Sequence, residues 1–321
     1  MYTKAKYPKL NILSKNELAK HIHSKDFSID EAKTLINQVL LDPESHWKDS
    51  KRYSKPETGK YERNAKRTPL GDLLKKIDSK VLAPCDNLLP AFIFGGIKNS
   101  SHIKASKHLL GNKRKRSLLG LDIKSFFETI KEDRVSYFFK KCGCSLKASK
   151  LIAKLCCVPL GEKGNGSKVR TIARGFATSP RLAVWCNLET FMEVERISKA
   201  VLKNSDPRIA IYVDDVGITA SRVTDSDLEE VKIKAIEILS NFDKNQKLPV
   251  NDKKTKKQNY LTGIEHLGLR YERNKLLVGK KTTSKLDKVS REYEHGNENT
   301  KKLLKNKKKA YFRYKDSVTK A

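Results

Sequence analysis

Residues 209–220 read IAIYVDDVGITA. Two adjacent carboxylates, Asp214 and Asp215, stand between two apolar, β-branched runs of the kind that form strands. A buried carboxylate is costly unless it is paired or holds a metal ion. A turn that needs only polarity is more cheaply made from Asn-Gly or Asp-Gly. The stretch therefore reads as a hairpin whose tip is either an ordinary exposed turn or a metal site.

Composition narrows the partner. The 321 residues suffice for one large domain or two or three smaller units. Lys and Arg number 68 against 37 Asp and Glu, a net charge of +31 that exceeds the needs of solubility. Such a balance calls for a polyanion, nucleic acid first and a membrane surface second. No run of about 18 apolar residues, no signal peptide and no lipidation motif occurs, so the expectation is no membrane and a cytoplasmic location. Six cysteines, among them Cys142, Cys144, Cys156 and Cys157, lack C-x-x-C spacing and read as buried free thiols rather than a zinc site.

Along the chain, NELAKHI and IDEAKTLINQVLL have helical spacing, and residues 50–68 form a basic, turn-rich stretch. Helical periodicity returns over 70–93, and FGGIKNSSHIKASKH reads as a Gly/Ser-rich loop. The basic cluster KRKR (113–116) leads into SLLGLDIKSFF, an apolar strand ending at Asp122. A helix is expected through about 133–158. Ser179 and Pro180 look like the cap and first residue of another, with Leu182, Trp185, Leu188, Met192 and Ile197 on one face. After the hairpin come a helix over about 225–241, short strands over 247–279 and a Lys-rich helical tail. Residues 270–321 hold 17 Lys/Arg against 6 Asp/Glu.

If the Asp122 strand pairs with the hairpin, three carboxylates converge on one sheet edge. Mg²⁺ favours hard oxygen ligands, a few carboxylates and substrate phosphates. Two such ions would activate a 3′ hydroxyl and stabilise a leaving pyrophosphate. Composition and spacing thus reach a metal-dependent enzyme acting on nucleic acid, with a structural turn as the competing reading.

Five boxes in order resemble the reverse transcriptases. YVDD (212–215) resembles their Y-x-D-D box, and LDIKSFF (121–127) their aspartate strand. RGFATSPRLA (174–183) is similar to their Q-G-x-x-x-S-P element, LPVNDKKT (248–255) to their N-x-x-K-T element, and HLGL (266–269) to their L-G primer grip. The spacing of about ninety residues between Asp122 and Asp214 also matches. The short length resembles retron and other bacterial antiphage enzymes, and KASKH (104–108) resembles the retron N-A-x-x-H element through Ala105 and His108.

The resemblance implies an α+β right-hand polymerase. Residues 1–110 would form N-terminal helices and fingers; 111–265 a palm on an antiparallel sheet, with a fingers insertion at about 133–175; and 266–321 the primer grip and a short, basic helical thumb. It implies Asp122, Asp214 and Asp215 as catalytic metal ligands, helped by the Ile123 carbonyl, for two Mg²⁺ ions or Mn²⁺ in their place. Phe127 would exclude a ribose 2′-hydroxyl, with Phe126 as its core neighbour, and Arg174, Gly175 and Lys254 would line the nucleotide. Arg63, Lys66 and Arg67 are the candidates for the triphosphate. Lys113, Arg114, Lys115, Arg116, His266, Gly268, Lys301 and Lys302 would meet nucleic acid.

The expected partners are an RNA template, a companion non-coding RNA, a DNA product and dNTPs, with a partner protein or a second copy left open. The function implied is RNA-directed DNA synthesis in antiphage defence. A catalytically silent RNA-binding subunit and an untemplated or protein-primed nucleotidyltransferase remain the alternatives. Three departures bear on the subgroup: Arg174 stands at the family's Gln, Lys104 at the retron Asn, and LTG (261–263) near the retron V-T-G.

Overall fold

A computed structural model describes residues 5–113, 115–295 and 298–320. The chain divides into two compact units. The first comprises Met1–Asn99, Ile123–Met192 and Ile238–Pro249; the second comprises Ser100–Asp122, Glu193–Glu237 and Val250–Ala321.

The first unit is mainly helical. Ser14 and Ser28 cap Lys15–Ile22 and Ile29–Leu41, the latter through a capping box with Glu31. Two short antiparallel ribbons, Lys48–Asp49 with Arg63–Asn64 and Cys157–Pro159 with Arg170–Ile172, join the helices. The helix expected over 133–158 is two, Glu132–Lys141 and Leu146–Cys156. The break comes at Gly143, whose φ of +81° leaves the helical region, and Ser145 caps the second helix. Ser179 lies inside its helix, Ser179–Cys186, rather than at the cap; its hydroxyl donates to the Ala173 carbonyl at 2.6 Å. The apolar face read from Leu182 to Ile197 is likewise interrupted at Asn187, and Leu188–Val201 forms a new helix. Trp185, Phe126, Phe138, Phe139 and Phe191 are fully buried in this core. All six cysteines are buried and unpaired, as their spacing suggested.

The second unit is built on a four-stranded antiparallel sheet. Its order is Arg208–Tyr212, Asp215–Ser221, Arg116–Asp122, Lys256–Asn259. Six of the seven residues of Arg116–Asp122 are buried, so both faces of this strand are covered. A three-stranded sheet, Ile264–His266, Leu269–Glu272 and Lys275–Val278, packs on it through His266. That packing requires glycine: a Cβ on Gly217 would stand 2.8 Å from His266 Nε2, and one on Gly120 3.3 Å from Nδ1. The stretch read as a Gly/Ser-rich loop contains a helix, His102–Leu110. Ser101 caps it by accepting from the Lys104 amide, and Ala105, Ser106, Leu109 and Leu110 supply its buried face. The basic tail is the helix pair Lys280–His295 and Glu298–Thr319. Among the described residues, no helix is long and apolar enough to cross a membrane.

Candidate active site

The hairpin of the opening stretch is formed by Arg208–Tyr212 and Asp215–Ser221, with Tyr212 paired to Asp215 across a turn of Val213 and Asp214. Val213 has φ +58°, a left-handed conformation that a β-branched side chain rarely adopts. Asp215 also pairs with Asp122, the last residue of the neighbouring strand. Sheet register thus brings Asp122 beside the Asp214–Asp215 turn.

Two further side chains reach Asp122. Lys254 donates to Oδ1 at 2.8 Å and the Asn251 amide to Oδ2 at 3.3 Å, while the Asn251 backbone N–H donates to the Asp122 carbonyl at 2.8 Å. The surroundings are electrostatically uneven. Burial, then the charges of Asp214 and Asp122, push the Asp215 carboxyl up to about 7, against a weaker downward pull from Lys254 and Lys256. The Lys254 ammonium is raised, chiefly by its bond to Asp122 and further by the charges of all three aspartates. Lys254 thus feels the charge of all three carboxylates.

Carboxylates are the donor type a hard divalent cation takes, a few of them beside water and phosphate oxygens. The cluster is not a closed cage: among the described residues, no group of three or more His, Cys, Asp or Glu side chains is arranged to hold an ion. Lys254 engages an Asp122 oxygen instead. Ile123, the next residue, is 1 % exposed and belongs to the core of the first unit.

A second cluster lies within the first unit. Phe126 is fully buried, whereas Phe127 is half-buried. The Arg174 guanidinium lies 5.0 Å from the Phe127 ring centroid and donates through Nε and Nη2 to the two Glu128 oxygens, both at 3.2 Å. Arg174, expected at the nucleotide, is here held in an internal ion pair whose carboxylate matches its planar fork. Gly175 has φ +96°, and a Cβ there would stand 2.5 Å from the Arg63 carbonyl oxygen. The neighbouring backbone already demands this glycine.

Arg63 drops out as a triphosphate contact. It is 4 % exposed, ion-paired with Asp49, bonded to the carbonyls of Pro159 and Gly161, and stacked by Trp47 and Tyr61. Lys66 and Arg67 are exposed.

The basic residues also sort by burial. Lys113, Lys115, Lys301 and Lys302 are exposed, and Arg114 lies outside the described residues. Arg116 is only 3 % exposed; it binds Asp206 at 2.7 Å and hydrogen-bonds to Thr219 and Ser221, so it cannot also meet nucleic acid. His266 is 9 % exposed, and burial pulls its titration down to about 4, making it a neutral packing residue rather than a phosphate contact. Gly268 is exposed, with φ +75°.

One cluster has no sequence signature. His102 Nε2 bonds to the Tyr314 hydroxyl at 2.9 Å, and its ring meets Tyr212 edge-on at 6.3 Å. The basic helix Glu298–Thr319 thereby reaches, through His102, the tyrosine that precedes the carboxylate turn. No local pattern links residues this far apart along the chain.

A family model described as reverse transcriptase (RNA-dependent DNA polymerase) matches residues 55–271. No curated protein matches the chain.

Proposed function

The chain belongs to the reverse transcriptase family and is an RNA-directed DNA polymerase, a nucleotidyltransferase with the polymerase fold; from this we propose that Asp122, Asp214 and Asp215 form its catalytic centre, acting on an RNA template and dNTPs. The observation that carries the reading is the convergence of three carboxylates on adjoining strand ends, with Lys254 bonded to one of them.

Reverse transcriptases use divalent metals such as Mg²⁺, which when bound at such carboxylates neutralise the triphosphate and favour loss of pyrophosphate. Asp122 and Asp214 supply the oxygens, and Asp215 completes the set or supports it from behind. Asn251 orients Asp122 through its side-chain amide. Lys254, 58 % exposed at its side chain, is free to swing from Asp122 toward a phosphate. Phe127 presents its half-buried ring to the incoming sugar. Lys66 and Arg67 are the remaining candidates for the triphosphate, and Lys113, Lys115, Lys301 and Lys302 track the backbone of the duplex.

In this reading residues 1–110 carry the fingers, 111–265 the palm and 266–321 the primer grip and thumb. The excess of basic charge supports a long nucleic-acid partner beyond the template–primer itself. We assign that role to a companion non-coding RNA in a retron-like antiphage system. Primer extension on RNA and DNA templates, with sequencing of the copurifying nucleic acid, tests both levels. Extension lost in Asp122→Asn with a defined RNA retained supports them; untemplated addition or inert wild-type protein overturns the reading.

A further inference from the structure

Arg174 replaces the neutral Gln of the resembling motif, and the structure shows where its charge goes. Nε and Nη2 grip the two Glu128 oxygens, both at 3.2 Å, in a parallel fork. The same guanidinium covers one face of the Phe127 ring at 5.0 Å. Phe127 and Glu128 are consecutive residues of one helical turn, Phe126–Thr129, so one side chain holds two neighbours at once.

The clamp is itself anchored. The Arg63 N–H donates to the Arg174 carbonyl at 2.7 Å, and Gly175 leaves room only for that strand. Arg63 is fixed in turn by Asp49, Pro159, Gly161, Trp47 and Tyr61. A series of immobilised groups therefore ends on the face of Phe127. The Arg174–Glu128 pair is also neutral overall, so the position presents no net charge to its surroundings, as Gln would.

We propose that Arg174 is a positioning residue that locks the Phe127 rotamer and so sets how strictly ribonucleotides are refused. The proposal rests on the reading of Phe127 as the residue that meets the sugar. A half-buried ring without a cover can rotate away and admit a 2′-hydroxyl. With the guanidinium on its face, rotation breaks a cation–π contact and disturbs the adjacent carboxylate's fork. Selectivity then depends on a residue that never touches the nucleotide.

The test is single-nucleotide insertion on a primed RNA template, comparing kcat/KM for a dNTP with that for the matching rNTP. Phe127→Ala should collapse the ratio. Arg174→Ala and Glu128→Gln should each lower it about tenfold, mainly by admitting the rNTP. Arg174→Lys should resemble Arg174→Ala, because an ammonium lacks the planar fork. Combining Phe127→Ala with Arg174→Ala should go no lower than Phe127→Ala alone. Thermal melts identify any variant that misfolds, and Glu128→Gln keeps shape if Arg174→Ala does not. Equal losses for dNTP and rNTP in Arg174→Ala would overturn the clamp in favour of a phosphate contact. If Phe127→Ala loses selectivity while Arg174→Ala and Glu128→Gln keep it, the clamp alone fails. If Phe127→Ala keeps selectivity, the sugar reading falls and the clamp with it.

Discussion

The Asp122 cluster of the second unit and the Phe127 cluster of the first treat charge in opposite ways. Around Asp122, three carboxylates crowd together, and Asp215 is pushed up to about 7 by burial and by its like-charged neighbours. Around Phe127, one guanidinium meets one carboxylate and the sum is zero. A cluster left negative invites a cation from outside. A cluster neutral in itself can hold a shape but recruits nothing. The comparison separates residues that would do chemistry from residues that would aim it, although both sets carry full charges.

The contrast is most exposed to failure at the carboxylates. Asp122→Asn and Asp214→Asn should each lower primer extension by about 10³-fold or more, since each removes charge stabilisation worth several kcal/mol. Nucleic-acid affinity, measured by filter binding, should stay near that of the wild type. A variant that extends at the normal rate would end the assignment.

Arg116 offers a charge whose role is purely internal. Its guanidinium is bonded to Asp206, Thr219 and Ser221, so Arg116→Ala should destabilise the fold by about 3 kcal/mol. Asp206 can rehydrate, being 34 % exposed at its side chain, which keeps the loss toward the lower end for a broken pair. Denaturant melts measure it, and an unchanged midpoint would return Arg116 to the surface.

The raised carboxyl gives a pH signature. Asp215 titrates from 3.8 in the unfolded chain to about 7 in the fold, so the fold binds the extra proton between these values. Its contribution to stability is full below about 4 and is lost as pH rises through about 7. Asp215→Asn should therefore flatten the fall in melting temperature between pH 4 and 8. Added Mg²⁺ should raise the melting temperature at pH 8 in the wild type but much less in Asp214→Asn. Identical pH slopes in wild type and Asp215→Asn would contradict the crowding of these carboxylates.

The smallest effects belong to the exposed cations. Lys113→Ala and Lys115→Ala should each reduce the salt slope of RNA binding by about 0.7–0.9, with stability changed by less than about 0.5 kcal/mol. A loss of affinity independent of salt would argue against phosphate contacts.

What the sequence made legible was local. The strand to Asp122, the carboxylate hairpin and the helix Asp225–Asn241 follow from short apolar patterns with plain boundaries. The burial of Phe126 and the openness of Phe127 were also readable. The helix His102–Leu110 was hidden by its Gly/Ser-rich flank, although Ser101 is an ordinary cap and Ala105, Leu109 and Leu110 have helical spacing. Arg116 sat in a basic run that looks like surface, and its partner Asp206 comes ninety residues later. His266 could not be recognised as core without knowing that Gly120 and Gly217 pair across two strands. Charge type is written in the sequence; the partner that decides its use is supplied by register.

The chain passes between its two units after residues 99, 122, 192, 237 and 249. Arg116 finds its register partner at Ser221, and Ser117 finds its other neighbour at Asn259. During synthesis, then, the strand ending in Asp122 waits with both edges bare for about ninety residues, until Asp215–Ser221 is made, and with one edge bare until Lys256–Asn259 follows. Such distant pairings form slowly and leave an open edge able to associate with other chains. Neither unit can be expressed as one continuous fragment, and the carboxylates meet only once Asp215–Ser221 has paired with Arg116–Asp122. Catalytic activity should therefore appear late in refolding, and chaperones that shield strand edges should improve its yield more than its rate per active molecule.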